Sequence, residues 1–386
     1  MAAVNGARRP LRLGMVAGEA SGDLLASLML QGLKARWPEV QAEGIGGPRL
    51  LAEGFQAWWP AERLSVFGYV DALKQLRSLL RLRRELGDRL LAERPAVFIG
   101  VDAPDFNFGL ERRLKAQGVR TIHFVCPSIW AWRGERVKTL AEATDHVLCL
   151  FPFEPALLAR HGIAATFVGH PLADLIPREV PRDAARQQLG LEGEGEVVAL
   201  LPGSRRSEIT HIAPSLLKAA ELLAAKRPGL RFVLPVVPGL RGLLEPLVAR
   251  HIRQADVRLL EGQAHAALAA CDLTLIASGT ATLEAALFKR PMVVAYRLHW
   301  LNHLYMRRKA YLPWISLPNI LCQETCVPEL VQDALTPEAL CEQALAWLDD
   351  PARCERLAQR FDALHVQLRQ NMAQKAADAV AQVLGA

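Results

Sequence analysis

The sequence predicts an α/β protein of two doubly wound domains, and three observations predict it. Short apolar runs that stop at small or turn-forming residues recur along the chain, most of them followed by a stretch with helical spacing. A proline- and glycine-rich segment near the middle interrupts this alternation before a fresh apolar run begins. The length, 386 residues, exceeds one ordinary core at roughly 150 residues per domain.

Residues 11–17, 96–101, 121–125 and 146–150 read as strands of the first domain. They are largely apolar rather than strictly alternating, as strands buried on both faces of a parallel sheet are. Residues 24–36 and 111–117 carry helical spacing between them. Segment 171–195 holds Pro171, Pro177 and Pro181, a short helix and the run LEGEGE at 191–196, and reads as a linker. This assigns 1–175 to an N-terminal domain and 176–336 to a second. In the second, 197–201, 231–236, 273–277 and 292–295 read as strands, with helices at 214–226 and 280–287. Beyond Pro337 strand signals stop, and 337–386 is expected as helices (338–349 and 352–384) that cap or bridge the domains. Two similar domains facing each other make a cleft.

Composition narrows the function classes. With 51% hydrophobic and 22% charged residues the chain is globular, and no apolar run approaches the ~18 residues of a membrane span. The N-terminus lacks a long apolar segment, so a cytoplasmic protein is expected. The cysteines are scattered without a CxxC pair, which suits a reducing compartment, and Cys322 and Cys326 lack the partners of a zinc site. A net charge of +6 and pI near 9.0 allow nucleic acid or an anionic membrane surface as partner.

Open parallel sheets bind ligands at the carboxyl ends of their strands. The first such loop, GEASGD at 18–23, is neither a P-loop nor a GxGxxG fingerprint. Ser21 or Asp23 can cap the following helix, whereas Glu19 is the functional candidate. After the strand 96–101 come Asp102 and Asp105, with Pro104 stiffening the turn. A carboxylate there can deprotonate an acceptor hydroxyl; Asp102 is the first choice, and one of the two acids is expected to cap a helix.

In the second domain, Gly203 permits close approach to phosphate, Ser204 offers a hydroxyl, and Arg205 or Arg206 can neutralise a diphosphate. Ser278, Gly279, Thr280 and Thr282 lie where a strand passes into a helix, a setting for a diphosphate. Glu284, a turn further on, can hold a ribose diol or simply favour the helix dipole.

Residues 66–84 mix apolar side chains (Val66, Phe67, Tyr69, Val70, Leu73, Leu76) with cations (Lys74, Arg77, Arg81) at helical spacing. Two readings stand: a segment lying on an anionic membrane, or a core helix with a solvated outer face. Nucleic acid fits less well, because the cations sit beside aliphatic rather than stacking aromatic side chains. His123, His170 and His211 receive no catalytic role, 169–171 reads as a hinge, and no metal-ligand spacing emerges.

The motifs GEASGD (18–23), GVDAPDFN (100–107), PSIWAWR (127–133), VGHPLAD (168–174), LPGSR (201–205), SGTATLE (278–284) and SLPNIL (316–321) occur in one order along the chain. In this set the sequence resembles the lipid A disaccharide synthases. The resemblance implies a GT-B glycosyltransferase with two Rossmann-like domains. Its reaction would join UDP-2,3-diacylglucosamine to 2,3-diacylglucosamine 1-phosphate with inversion, giving a β-1,6 disaccharide and UDP. It implies Asp102 as base, Arg205 on the departing diphosphate, and Glu19 and Asn319 in the active site, with no metal or other cofactor. It further implies a peripheral enzyme of the inner membrane and a homodimer exchanging C-terminal elements. The nearest rivals are other GT-B enzymes of UDP-N-acetylhexosamines, namely the peptidoglycan transferase and the 2-epimerase. A non-catalytic nucleotide-binding membrane-surface protein is the rival from another class.

Overall fold

The computed structural model describes residues 10–64, 69–193, 195–297 and 311–386, residues 69–75 by their backbone. It divides into two compact units: Met1–Asp174 with Leu368–Ala386, and Leu175–Gln367.

The sheet of the first unit contains β1 (Arg12–Ala17), β2 (Gln41–Gly46), β3 (Gln56–Pro60), β4 (Val97–Val101), β5 (Arg120–Phe124), β6 (His146–Cys149) and β7 (Ala165–Phe167). Their order is β3-β2-β1-β4-β5-β6-β7, all parallel. Helices cover both faces, which is why β4 is buried along its whole length. On one face Leu25, Met29 and Leu33 pack with Met372, Ala376 and Val380. On the other, Leu82, Leu86 and Leu90, one stripe of the helix Tyr69–Glu93, pack against Val16, Ile45, Phe98 and Leu110.

The second unit contains β8 (Val197–Leu201), β9 (Arg231–Val236), β10 (Asp256–Glu261), β11 (Leu273–Ala277), β12 (Met292–Tyr296) and β13 (Glu329–Val331). The order β10-β9-β8-β11-β12-β13, again all parallel, repeats the doubly wound pattern of the first unit.

The tail, read as helices at 338–349 and 352–384, consists of three helices divided between the two units. Pro337–Leu348 and nearly all of Pro351–Leu368 belong to the second unit, and Met372–Leu384 completes the first. Asn371, at φ +54°, turns the chain between the last two helices. The segment 169–174, which includes the expected hinge at 169–171, anchors this return. Asp174 accepts hydrogen bonds from the backbone N–H groups of Asn371 (3.0 Å) and Met372 (2.7 Å). The His170 N–H donates to the Leu368 carbonyl (2.9 Å), and Gly169, at φ +90°, leaves room that a Cβ would take from Gln370. Gly32 likewise has no Cβ because the Ala373 carbonyl lies against it.

Helix starts also fall earlier than expected. The helix read from 214 begins at Arg206 and contains Pro214; the one read from 111 begins at Pro104. Both therefore start directly at a strand end, placing their N-termini at the ligand edge of the sheet.

Candidate active site

Strand order reverses between β1 and β4 and between β8 and β11, and the carboxyl ends at such switch points are where doubly wound sheets receive ligands. The loops at 18–23, 102–107, 202–205 and 278–284 open at these ends.

In the second unit they line a cavity of ≈ 540 Å³. Gly203, Ser204, Arg205, Ser278, Gly279, Thr280 and Glu284 meet there. Gly203 has φ +111°, and a Cβ would strike the Glu208 side chain. Glu208, which sequence reasoning passed over, accepts from the backbone N–H of Ser204 (2.9 Å) and of Arg205 (3.2 Å) and faces the Arg205 guanidinium at 3.4 Å. Its carboxylate thus holds donors of the kind a phosphate recruits at a helix N-terminus. Thr282 does not line the cavity: it is fully buried and its hydroxyl donates to the Gly279 carbonyl (2.7 Å), closing the turn. Glu284 is paired with His265 at 3.0 Å, and that bond raises the imidazole pKa above its ordinary value.

Asn319 is likewise absent from the lining of this cavity. It is fully buried; its amide NH₂ donates to the Val327 carbonyl (2.9 Å) and Glu329 Oε1 (2.8 Å), and its Oδ1 accepts from the N–H groups of Cys326 and Val327. Glu329 also holds the N–H groups of Ile315 and Ser316, and the Ile315 carbonyl accepts from Ser278 Oγ. Asn319 therefore organises the loop that braces one wall of the cavity. The residues at 236–238 and 262–264 that also line it were missed. The end of β9 was legible as a strand end, and β10 was not.

In the first unit Asp102 lines a separate cavity of ≈ 320 Å³. Its φ is +52° and that of Ala103 +43°. Asn107, fully buried, donates to the Asp102 carbonyl (2.8 Å) and fixes this turn. Beneath it the buried pair Glu111 and His123 meet at 2.7 Å, and burial raises the Glu111 pKa. The two acids sit differently, Asp102 in the lining of this cavity and Asp105 outside it. Asp105 is 85% exposed and ion-paired to Arg136 at 2.7 Å, and it caps nothing: the helix Pro104–Lys115 starts without a side-chain cap. Glu19 occupies the N-cap position of Ala20–Arg36, exposed and without a cap bond from its carboxylate. Ser21 makes no cap either, and Asp23 serves the neighbouring helix Pro48–Ala52, accepting from the N–H groups of Gly47, Arg49 and Leu50.

Val66 and Phe67 lie outside the described residues, as do the side chains of Tyr69, Val70, Leu73 and Lys74. Further along that helix Leu76 and Leu80 are 49% and 45% exposed, beside the exposed Arg77 and Arg81. No described helix is long and apolar enough to cross a membrane.

A family model described as lipid-A-disaccharide synthetase matches residues 13–383. The chain belongs to that family. The lipid-A-disaccharide synthase of Verminephrobacter eiseniae is 57% identical over 380 residues, covering 97% of this chain and 98% of the relative. That of Burkholderia mallei is 55% identical over 377 residues, covering 97% of each. Among solved structures, the UDP-GlcNAc 2-epimerase of Neisseria meningitidis, bound to UDP-GlcNAc, superposes with TM-score 0.62 at 12% identity, covering 97% and 99% of the two chains. MurG of Acinetobacter baumannii gives 0.59 at 14%, covering 96% and 99%. At such identity these show the fold, which is of the GT-B class in this synthetase family member too.

Proposed function

We propose that the protein is an inverting glycosyltransferase that joins UDP-2,3-diacylglucosamine to 2,3-diacylglucosamine 1-phosphate, forming a β-1,6 disaccharide and UDP. The observation that carries this reading is the gathering of seven donor-site candidates on one cavity, in a chain 57% identical to a lipid-A-disaccharide synthase. Asp102 takes the proton of the acceptor 6-hydroxyl as that oxygen attacks the anomeric carbon and the bond to UDP breaks. Arg205, the amides at 203–205 and those at 279–281 stabilise the departing diphosphate, with Glu208 giving up its hold on the loop amides as donor binds. Glu284 addresses the ribose. Glu19, at the mouth of β1, is retained as a site residue.

The exposed leucines Leu76 and Leu80 beside Arg77 and Arg81 support docking on the anionic inner membrane from the cytoplasmic side, where acylated substrates are available. A homodimer exchanging C-terminal elements would use the helix Met372–Leu384, which here completes its own chain's first unit.

The test is an assay in mixed micelles containing EDTA, with both acylated substrates, following UDP and disaccharide by mass. Disaccharide formed under chelation supports the reaction and its independence of metal. UDP without disaccharide, or turnover of a non-acylated UDP-N-acetylhexosamine instead, would transfer the protein to the rival nucleotide-sugar enzymes.

A further inference from the structure

The ≈ 320 Å³ cavity beside Asp102 has a lining that the scheme above leaves unused. Arg133 and Arg136 both line it, together with Trp132, Ser128 and Val125. Arg133 stacks on Trp132, its guanidinium carbon 4.4 Å from the ring centroid. Stacking occupies the face of a guanidinium and leaves its in-plane N–H donors for a ligand. Arg136 has a side chain only 22% exposed and gives one N–H to Asp105, a carboxylate that is itself 85% exposed. A guanidinium has five donors, so most of those on Arg136 remain uncommitted to Asp105.

The backbone here is also held in unusual conformations. Asp102, Val125 and Arg133, with φ of +52°, +86° and +53°, are left-handed without being glycine. Residues kept so cluster where a site must present particular side chains. Hydroxyls of an uncharged sugar are served by neutral partners, whereas this lining holds two guanidinium groups, of which only Arg136 faces a carboxylate at ion-pair distance among the described residues, and an enclosed charge left unmatched is costly. A phosphomonoester matches them, with close to two negative charges and three strong acceptor oxygens for forked donors.

We propose that Arg133 and Arg136 bind a phosphomonoester on the sugar acceptor, so that this cavity reads the acceptor's anionic end while Asp102 addresses its hydroxyl. The assignment rests on the glycosyl-transfer reading above. It gives the motif PSIWAWR a division of labour. Trp130 turns inward, its indole N–H on Glu154 at 3.1 Å, while Trp132 carries the arginine that meets the ligand.

The test compares two acceptors, diacylglucosamine 1-phosphate and the same lipid without its phosphate, using the full chain in mixed micelles. Wild type should prefer the phosphorylated acceptor. In Arg133→Gln and in Arg136→Gln the ratio of the two kcat/KM values should fall by about tenfold to a hundredfold. Arg133→Lys should recover part of it, and Arg112→Gln, an exposed arginine paired with Glu142, should keep the full ratio. An equal fall on both acceptors overturns the proposal. A raised donor KM with the ratio retained also overturns it, assigning the arginines to the donor diphosphate. Calorimetry with glucosamine 1-phosphate against glucosamine probes the site without turnover. Phosphate-dependent binding lost in Arg133→Gln would sustain the site even if the lipid assay failed, and its absence in wild type would remove the site even if that assay succeeded. Where a glutamine variant melts early, Arg133→Lys decides by the same ratio.

Discussion

The two units share a strand order but turn their ligand-edge loops by different means. The second relies mainly on glycine: Gly203, Gly262 and Gly279 supply φ of +111°, +67° and +157° around its cavity, with Gln263 at +54° as the non-glycine exception. The first places Asp102, Ala103, Val125 and Arg133 in left-handed conformations at its own rim, each at a cost of roughly 1–3 kcal/mol. Glycine lets a backbone come close to a diphosphate; a strained side chain buys a fixed direction for a base or a cation. The first unit also buries titratable groups at its strand ends, Glu154 after β6 and His170 after β7, whereas Glu284 and His265 of the second are paired and partly solvated.

The sharpest way to break this comparison is stability against pH, where the first unit should dominate. Burial pushes the Glu154 carboxyl up to about 8, against hydrogen bonds from the Phe151 N–H and Trp130. Its contribution is full below the unfolded value of 4.5 and is lost as pH rises through about 8, on the order of 5 kcal/mol in all. His170 is pushed down to about 4 by burial, so its contribution is full above 6.5 and is lost as pH falls through about 4, on the order of 3 kcal/mol. Between 4.5 and 6.5 the two slopes oppose, giving a plateau with a decline on either side. Denaturant melts across this range should lose the alkaline decline in Glu154→Gln. An unchanged decline would place its origin elsewhere.

Next in size, Asp102→Asn should lower kcat about a hundredfold or more while the melting curve stays that of wild type. A loss under threefold would remove Asp102 as the base. Gly203→Ala should weaken UDP binding about tenfold, because a Cβ meets Glu208 and a left-handed alanine is strained; titration calorimetry measures it. The smallest effect should be a gain. Ala103→Gly should raise stability by roughly 0.5 kcal/mol, relief of the left-handed alanine slightly exceeding the added chain entropy. If it destabilises, the contrast between the two rims does not lie in backbone strain.

The same contrast governs what was legible in the sequence. Glycine-bearing loops announce themselves, so 203–205 and 278–284 could be read from residues alone as strand-end loops suited to a diphosphate, and most of these residues line one cavity. A strained valine or arginine carries no composition signal, and the Val125–Arg136 wall went unseen despite the quoted motif. Among strands, the eight long apolar runs are all present, while β2, β3, β7, β10 and β13 were not read. Four of these are sheet edges, short or polar because one side meets solvent, and β2 carries Gly44, Gly46 and Glu43. Thr282 and Asn319 have ligand-binding chemistry, and their burial and internal hydrogen bonds do not show in a sequence.

The helix Met372–Leu384 gives the chain an order of completion that its linear order conceals. During synthesis the strands β1 to β7 emerge first, but Leu25, Met29 and Leu33 have no complete cover until the last helix leaves the ribosome, after the entire second unit. The second unit is contiguous and can close while the first waits with an open apolar face. A premature stop near residue 370 would therefore do its damage at the other end of the molecule, against the helix Ala20–Arg36, and the nascent chain needs shelter for the whole time it takes to translate the second unit.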